Sequence, residues 1–201
     1  MSEKFVSDVD IDFGDRTQLL SLIKHVSASL KSGDSIRRHN SGIYVTDVPY
    51  DPEHDMASIL YGEAEERGYI KLDILNVWLY KLIRDESHLI ELMKEPNWSL
   101  LQDREFFEKL VQIGNHYHTM VKMNEPIDSI PRLAMFISVI RPGKYHLIGK
   151  SWKEVGESIW KKDDTGYSFK KSHAIAYAHL VVTHINLLAE NPEACQIMSF
   201  S

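Results

Sequence analysis

The sequence predicts an α+β chain: a small sheet with helices over residues 1–95, then a helical half over residues 96–201. Three observations carry that reading. The stretch "DVDIDF", Asp8 to Phe13, alternates acidic and apolar residues at the period of a strand. "GYIKLDIL" repeats the device, with Ile70, Leu72 and Ile74 alternating with Lys71 and Asp73. From Asn97 onward the apolar residues recur at helical spacing instead.

Taken in order, the first strand closes at a Gly14-Asp15 turn. A helix is predicted over "DRTQLLSLIKHVSASLKSG", where Leu19, Ile23, Val26 and Leu30 share a face, Asp15 can cap and Gly33 stops it. "GIYVTDVPYDP" is rich in β-branched and aromatic residues and ends in prolines, so it reads as a strand leading into a loop. After the second acidic strand, one long amphipathic helix is expected through "NVWLYKLIRDESHLIELMKE" to Pro96. The second half offers "LQDREFFEKLVQIGNHYHTMVKM", "PRLAMFISVI" broken by "RPGK", and the pair "SWKEVGESIWKK" and "SFKKSHAIAYAHLVVTHINLLAEN". No internal repeat or low-complexity segment interrupts them.

A chain of 201 residues with 43% hydrophobic and 26% charged content has the composition of a globular protein able to bury a core. Its one cysteine, Cys195, excludes an internal disulfide framework and a cysteine-rich zinc site. No apolar run approaches a membrane span, and "MSEKFVSDVD" lacks the apolar centre of a signal peptide, so the expected location is cytoplasmic, with no membrane partner. Lys and Arg number 23 against 29 Asp and Glu, a formal charge of −6. That argues against holding nucleic acid mainly by long-range attraction. Basic residues do cluster in "SIRRHN", "IWKKDD" and "SFKKSH", each of which alone reads as solvated surface.

The acidic strands pose the chemical question. Aspartate is depleted in strands, and like charges about 5 Å apart at an effective dielectric near 20 repel by roughly 3 kcal/mol. Either the face of Asp8, Asp10 and Asp12 lies in open water, where charge guards an edge strand against aggregation, or a cation belongs there. If that strand neighbours the one bearing Asp73, three or four carboxylates converge. Mg²⁺ takes such oxygen ligands, and a pair of ions about 4 Å apart activates a hydroxyl and stabilises a leaving oxygen in phosphoryl transfer. Lys71, on the face of Asp73, is placed to meet a phosphate.

The first pair of histidines reads as surface or interface, and the later three as satisfied helix histidines. His116 and His118 are two apart and so do not share a helix face; His173, His179 and His184 have no acidic partner between them. "KKSH" differs, because Lys170, Lys171, Ser172 and His173 gather donors at the start of an apolar helix, where free backbone N–H groups favour phosphate. Arg141 and Lys144, around the helix-breaking Pro142-Gly143, form a second candidate anion contact.

Together these motifs resemble the catalytic core of family C bacterial replicative polymerases, the DNA polymerase III alpha subunits. "SDVDIDF" resembles the family's Pro-Asp-x-Asp-x-Asp-Phe motif, with Ser7 in place of the proline. "RRHNSGIYV" is similar to its His-x-x-Gly segment before a strand, and "EAEERGYIKLDILNV" to its Gly-x-x-Lys-x-Asp-x-Leu strand. "FISVIRPGK" is similar to the Arg-Pro-Gly turn of the fingers, and "YSFKKSHAIAYA" to the Phe-x-Lys-Ser-His-x-x-x-Tyr-Ala helix that faces the incoming nucleotide. Their order is kept, and they span most of the chain.

The resemblance implies a palm sheet of the nucleotidyltransferase-beta type followed by a helical, fingers-like segment. Asp8, Asp10 and Asp73 would hold two Mg²⁺ ions and be catalytic. Lys71, Arg141, Tyr167, Lys171, Ser172 and His173 would bind a nucleoside triphosphate. The implied setting is DNA replication, with nucleic acid or a replication protein as further partner. The departures are the family's Gly- and Ser-rich phosphate loop, which has no counterpart before Asp8, and a much shortened stretch between the first two motifs. A full polymerase is several times longer. The chain thus resembles a miniature of the active-site shell, of a size suited to a compact viral genome and hence to a host cytoplasm.

Two functions follow as expectations. One is a two-metal nucleotidyltransferase acting on nucleotides or nucleic-acid ends, without processive synthesis on its own. The other is a non-catalytic polymerase-derived module that binds nucleotide, nucleic acid or a replication protein; losing preorganised phosphate donors removes several kcal/mol of transition-state stabilisation, yet a pocket can still bind.

Overall fold

The computed structural model describes residues 9–141, 143–161 and 169–193, with Val9 and Asp10 by their backbone alone. Asp8, Pro142, Tyr167 and Cys195 therefore lie outside the described residues. The architecture is α+β, with a mixed four-stranded sheet and helices, and the chain divides into two compact units between Leu82 and Ile83.

The first unit runs β1 (Val9–Phe13), α1 (Arg16–Leu22), β2 (Val26–Ser32), β3 (Ser35–Tyr44), β4 (Tyr50–Asp51), β5 (Met56–Ala57), α2 (Tyr61–Glu66) and β6 (Leu72–Asn76), closed by a 3₁₀ turn at Trp78–Leu82. The sheet order is β1-β6-β3-β2. β1 lies parallel to β6, while β6–β3 and β3–β2 are antiparallel. Ala28, Tyr44, Ala57 and Ala64 form a buried cluster, with Val26, Val48, Ile59 and Tyr69 packed on it.

Asp15 caps α1 as its position predicts, accepting from the Thr17 N–H at 3.1 Å. The helix ends at Leu22, however, and from Val26 to Ser32 the predicted helix is β2. Valine and serine are poor helix formers, and in "HVSASL" they pair with β3 instead. Ser29 adds a side-chain tie, donating to the Ile59 carbonyl at 2.6 Å. Gly33 is then no helix stop but the first central residue of a two-residue hairpin turn between the paired Ser32 and Ser35. Its φ of +62° is the left-handed backbone that hairpin turns of this length demand.

The long helix expected up to Pro96 is also interrupted. β6 ends at Asn76, the 3₁₀ turn follows, and α3 (Glu86–Leu92) starts afresh. Asp85 sets that start, with extended backbone and a carboxylate that accepts from the His88 N–H at 2.8 Å. α3 belongs with the helical half, which places the division ahead of residue 95. Asn186 donates to the carbonyls of Leu92 at 2.9 Å and Lys94 at 3.0 Å, and His88 Nε2 meets Glu190 at 2.9 Å.

The second unit continues through short helical pieces: a 3₁₀ turn at Trp98–Gln102, α4 (Arg104–Phe107), a 3₁₀ turn at Gly114–His116 and α5 (Tyr117–Val121). The helical spacing there is right, but continuity is broken at Gln112, with φ of +64°, and at Gly114. A Cβ on Gly114 would lie 2.5 Å from the Glu108 carbonyl oxygen, so only glycine fits. α6 (Ile130–Val139), α7 (Trp152–Ser158) and α8 (Lys171–Glu190) complete the unit. Its core is the α6–α8 interface, where Leu133, Phe136 and Ile137 are buried, as are Val181, Val182 and Ile185. α7 opens with a capping box between Ser151 and Glu154. Among the described residues no helix is long and apolar enough to cross a membrane.

Candidate functional site

The parallel ladder between β1 and β6 brings the two acidic stretches together. Its register sets Asp10 opposite Asp73 and Asp12 opposite Leu75. Asp73 is 7% exposed, an unusual place for a carboxylate. Lys71, just before β6, forms an ion pair with Asp73 Oδ2, so the two meet on one face as the alternation predicts. Ser41 Oγ donates to Asp73 Oδ1 at 2.7 Å. Burial pushes the Asp73 carboxyl up, but the hydrogen bonds from Lys71 and Ser41 and the Lys71 charge outweigh it and hold it below the usual carboxylate range.

Ser41 reaches Asp73 because of an irregularity in β3. Between the cross-strand pairs Ser27–Ile43 and Ser29–Arg38, β2 places only Ala28, whereas β3 places His39, Asn40, Ser41 and Gly42. The surplus bulges out of the ladder over the end of β6, a common device for aiming side chains at a site. His39 Nδ1 accepts the Gly42 N–H at 2.9 Å and faces the Ser41 N–H at 3.3 Å, which fixes the turn. His39 Nδ1 also lies 3.7 Å from Asp73 Oδ1. A Cβ on Gly42 would sit 2.8 Å from Lys71 Cδ and 3.0 Å from His39 Nδ1. Tyr61, at the start of α2, completes the wall: its ring lies 5.4 Å from the Lys71 ammonium and edge-on to His39 at 5.8 Å.

Asp12 is exposed and accepts from the Tyr80 hydroxyl at 3.3 Å. Burial, joined by the Asp12 charge, pushes that phenol up to about 12. Among the described residues no three His, Cys, Asp or Glu side chains gather as a ligand set; the Asp10 side chain and Asp8 stand outside that description. What the described residues would offer a hard cation is limited to one carboxylate and its neighbours. A buried carboxylate lies beside a hydroxyl, opposite a second aspartate position, and a positive charge already sits against it in the Lys71 ammonium.

The remaining predicted residues belong to the second unit. Arg141 lies over the Phe169 ring at 5.0 Å and 6.0 Å from the Tyr177 ring. Those rings stack with an interplanar angle of 10°. His173 meets Phe169 edge-on at 6.3 Å, so the "RPGK" turn and the start of α8 converge on one aromatic pair. Arg141 also donates to Gln112 Oε1 at 3.2 Å. Lys171 is exposed, 5.9 Å from the Trp160 ring, and Ser172 is exposed in the first turn of α8. Lys144 departs from the expected anion contact: it is 6% exposed and donates to the Lys161 carbonyl at 2.6 Å, fastening its own turn.

The residues that sequence reasoning left without a role are His39, Ser41, Gly42 and Tyr61 around Asp73, and Phe169 and Tyr177 under Arg141. The signal for the first set was "HNSG", read only for its histidine-to-glycine spacing. No signal distinguishes Tyr61 from any other helix-start residue. Compared with known proteins, the chain matches no family model and no curated sequence.

Proposed function

We propose that the chain is a DNA polymerase III alpha-like, metal-dependent nucleotidyltransferase acting on nucleotides or nucleic-acid ends. The observation that carries the reading is the β1–β6 register, which sets Asp10 opposite Asp73 at the place where Lys71 and the His39–Gly42 bulge converge. Asp10 and Asp73, with Asp8 as the third expected acid, are the residues that would hold Mg²⁺. When bound, such an ion would neutralise a triphosphate and polarise the reacting oxygens.

The chain's own groups supply the rest of the reading. Ser41 and Lys71 fix the Asp73 carboxylate in one orientation, which is the preorganisation that transition-state stabilisation needs. In the helical unit, Arg141 offers positive charge over the Phe169–Tyr177 pair, whose faces suit a nucleobase, and Lys171 is exposed at the start of α8. The test is Mg²⁺-dependent incorporation of labelled deoxynucleotide onto a primer end. Asp10→Asn is expected to abolish it; equal incorporation by wild type and variant sinks the reading.

A second reading, a non-catalytic module that binds nucleotide, is favoured by the Arg141–Phe169–Tyr177 group, which needs no metal to stack a base. Saturable triphosphate binding by calorimetry, lost in Arg141→Ala and accompanied by no incorporation, selects it.

A further inference from the structure

We propose that Gln112 is a positioning residue, whose strained backbone serves to hold the Arg141 guanidinium ready for the phosphates of a nucleotide; the inference rests on the reading of Arg141 as a nucleotide contact. Gln112 has φ of +64°, and the Ile113 N–H donates across it to the Val111 carbonyl at 2.7 Å. A three-residue turn with positive φ at its centre is the rare, strained form of the γ-turn. Glycine would adopt that backbone without strain, yet the position carries an exposed glutamine. The neighbours hold the turn in place. Val111 donates its N–H to His184 Nδ1 at 3.1 Å, Ile113 is fully buried, and Gly114 leaves no room for a Cβ. Strain kept at a residue type that does not relieve it is a signature of function, and here it turns attention to the side chain.

That side chain meets Arg141. The guanidinium donates to Gln112 Oε1 at 3.2 Å and lies over the Phe169 and Tyr177 rings. Among the described residues no carboxylate pairs with Arg141, and its Nε is buried with no acceptor. A neutral amide and two ring faces orient a cation without neutralising it, so the charge stays available to an anion. The same loop feels that charge: burial, and then Arg141, lower the pKa of His116.

The test is dATP binding to the full chain without metal, read by calorimetry, in wild type, Arg141→Ala, Gln112→Gly and Gln112→Glu, each with a urea midpoint. Gln112→Gly is expected to be at least as stable as wild type, since glycine relieves the positive φ. It is nonetheless expected to bind dATP roughly three- to tenfold more weakly, the range for one neutral hydrogen bond. Gln112→Glu keeps the shape of the side chain but neutralises the guanidinium, and is expected to weaken dATP by roughly tenfold or more. In wild-type spectra the Arg141 guanidinium protons are expected upfield, over the Phe169 ring, and to return toward a solvated arginine in Gln112→Gly. Unchanged binding in either Gln112 variant, resonances that stay in place, or a Gln112→Gly chain less stable than wild type overturns the positioning role and leaves the Arg141 reading intact. Binding that survives Arg141→Ala, or no saturable dATP binding at all, overturns both.

Discussion

A charge on Asp73 and a neutral ring on His184 are opposite answers to the same problem of burial. Asp73 stays ionised because Ser41 donates to it and Lys71 is paired with it. His184, 1% exposed in α8, instead gives up its charge: its Nδ1 accepts the Val111 N–H at 3.1 Å, and burial pushes its pKa down from 6.5 to about 4. Both make the fold acid-sensitive, in different windows. A histidine whose folded pKa is depressed contributes stability fully present above its unfolded value and lost as pH falls toward the folded one. The unfolded chain binds the proton first. The window for His184 is therefore pH 6.5 down to about 4, and a shift of that size carries about 3 kcal/mol at 1.36 kcal/mol per unit. The depressed Asp73 carboxyl adds its loss only below the ordinary carboxylate range. Urea midpoints measured from pH 7.5 to 4.5 are expected to fall steadily below pH 6.5, and a His184→Gln variant to flatten that slope. A wild-type profile level across the window would show that the imidazole is not protected. The wider bearing is that a site assay run at low pH would mix catalysis with unfolding.

At the scale of elements, the hairpin of β2 and β3 holds two glycines that do different work. Gly33 needs its positive φ and has nothing within 4 Å of an added Cβ. Gly42 needs empty space, since a Cβ there would come within 2.8 Å of Lys71 Cδ and 3.0 Å of His39 Nδ1. Gly33→Ala should therefore cost about 1 kcal/mol of backbone strain and leave the Asp73 surroundings intact. Gly42→Ala should displace both neighbours and weaken triphosphate and Mn²⁺ binding together, with a stability loss of about 1–3 kcal/mol, typical of overpacking. Thermal melts paired with binding isotherms separate the two; unchanged ligand binding in Gly42→Ala would mean the bulge does not serve the site. This hairpin also shows where the sequence was legible and where it was not. The acid–apolar alternation of "DVDIDF" and "GYIKLDIL" reports local geometry, so the strands, and the shared face of Lys71 and Asp73, could be read directly. "HVSASL" could not, because Val26 and Leu30 satisfy a helical stripe as well as a strand, and only pairing with a partner far along the chain decides between them. The bulge at His39–Gly42 was invisible for the same reason. It exists as a mismatch between two strands, and no single segment encodes it.

On the scale of the whole molecule, the chain is built from two separate cores. Small residues around Tyr44 fill the first, and the α6–α8 interface the second. The helical half was legible because α8 writes its periodicity over 20 residues. The boundary was not, since the pattern from Trp78 to Leu92 is periodic throughout and only the Asp85 cap and the tie of α3 to Asn186 and Glu190 show where one unit stops. The candidate chemistry is divided in the same way: Asp73, Lys71 and Ser41 depend on the first core, and Arg141, Lys171 and His173 on the second. Damage to one core should therefore disable one set of groups and spare the other. Phe136 is fully buried in α6, and its truncation to alanine costs a typical core about 3–5 kcal/mol. Stability is not uniform across a structure, and hydrogen exchange reads it locally. In Phe136→Ala, amides of α6 and α8 are expected to lose protection by roughly a hundredfold or more, following that cost, while amides of β3 and β6 keep theirs. Mn²⁺ affinity at Asp73 should hold as triphosphate binding through Arg141 fails. Equal loss of protection in β6 and α8 would mean that the two cores fold as one cooperative unit.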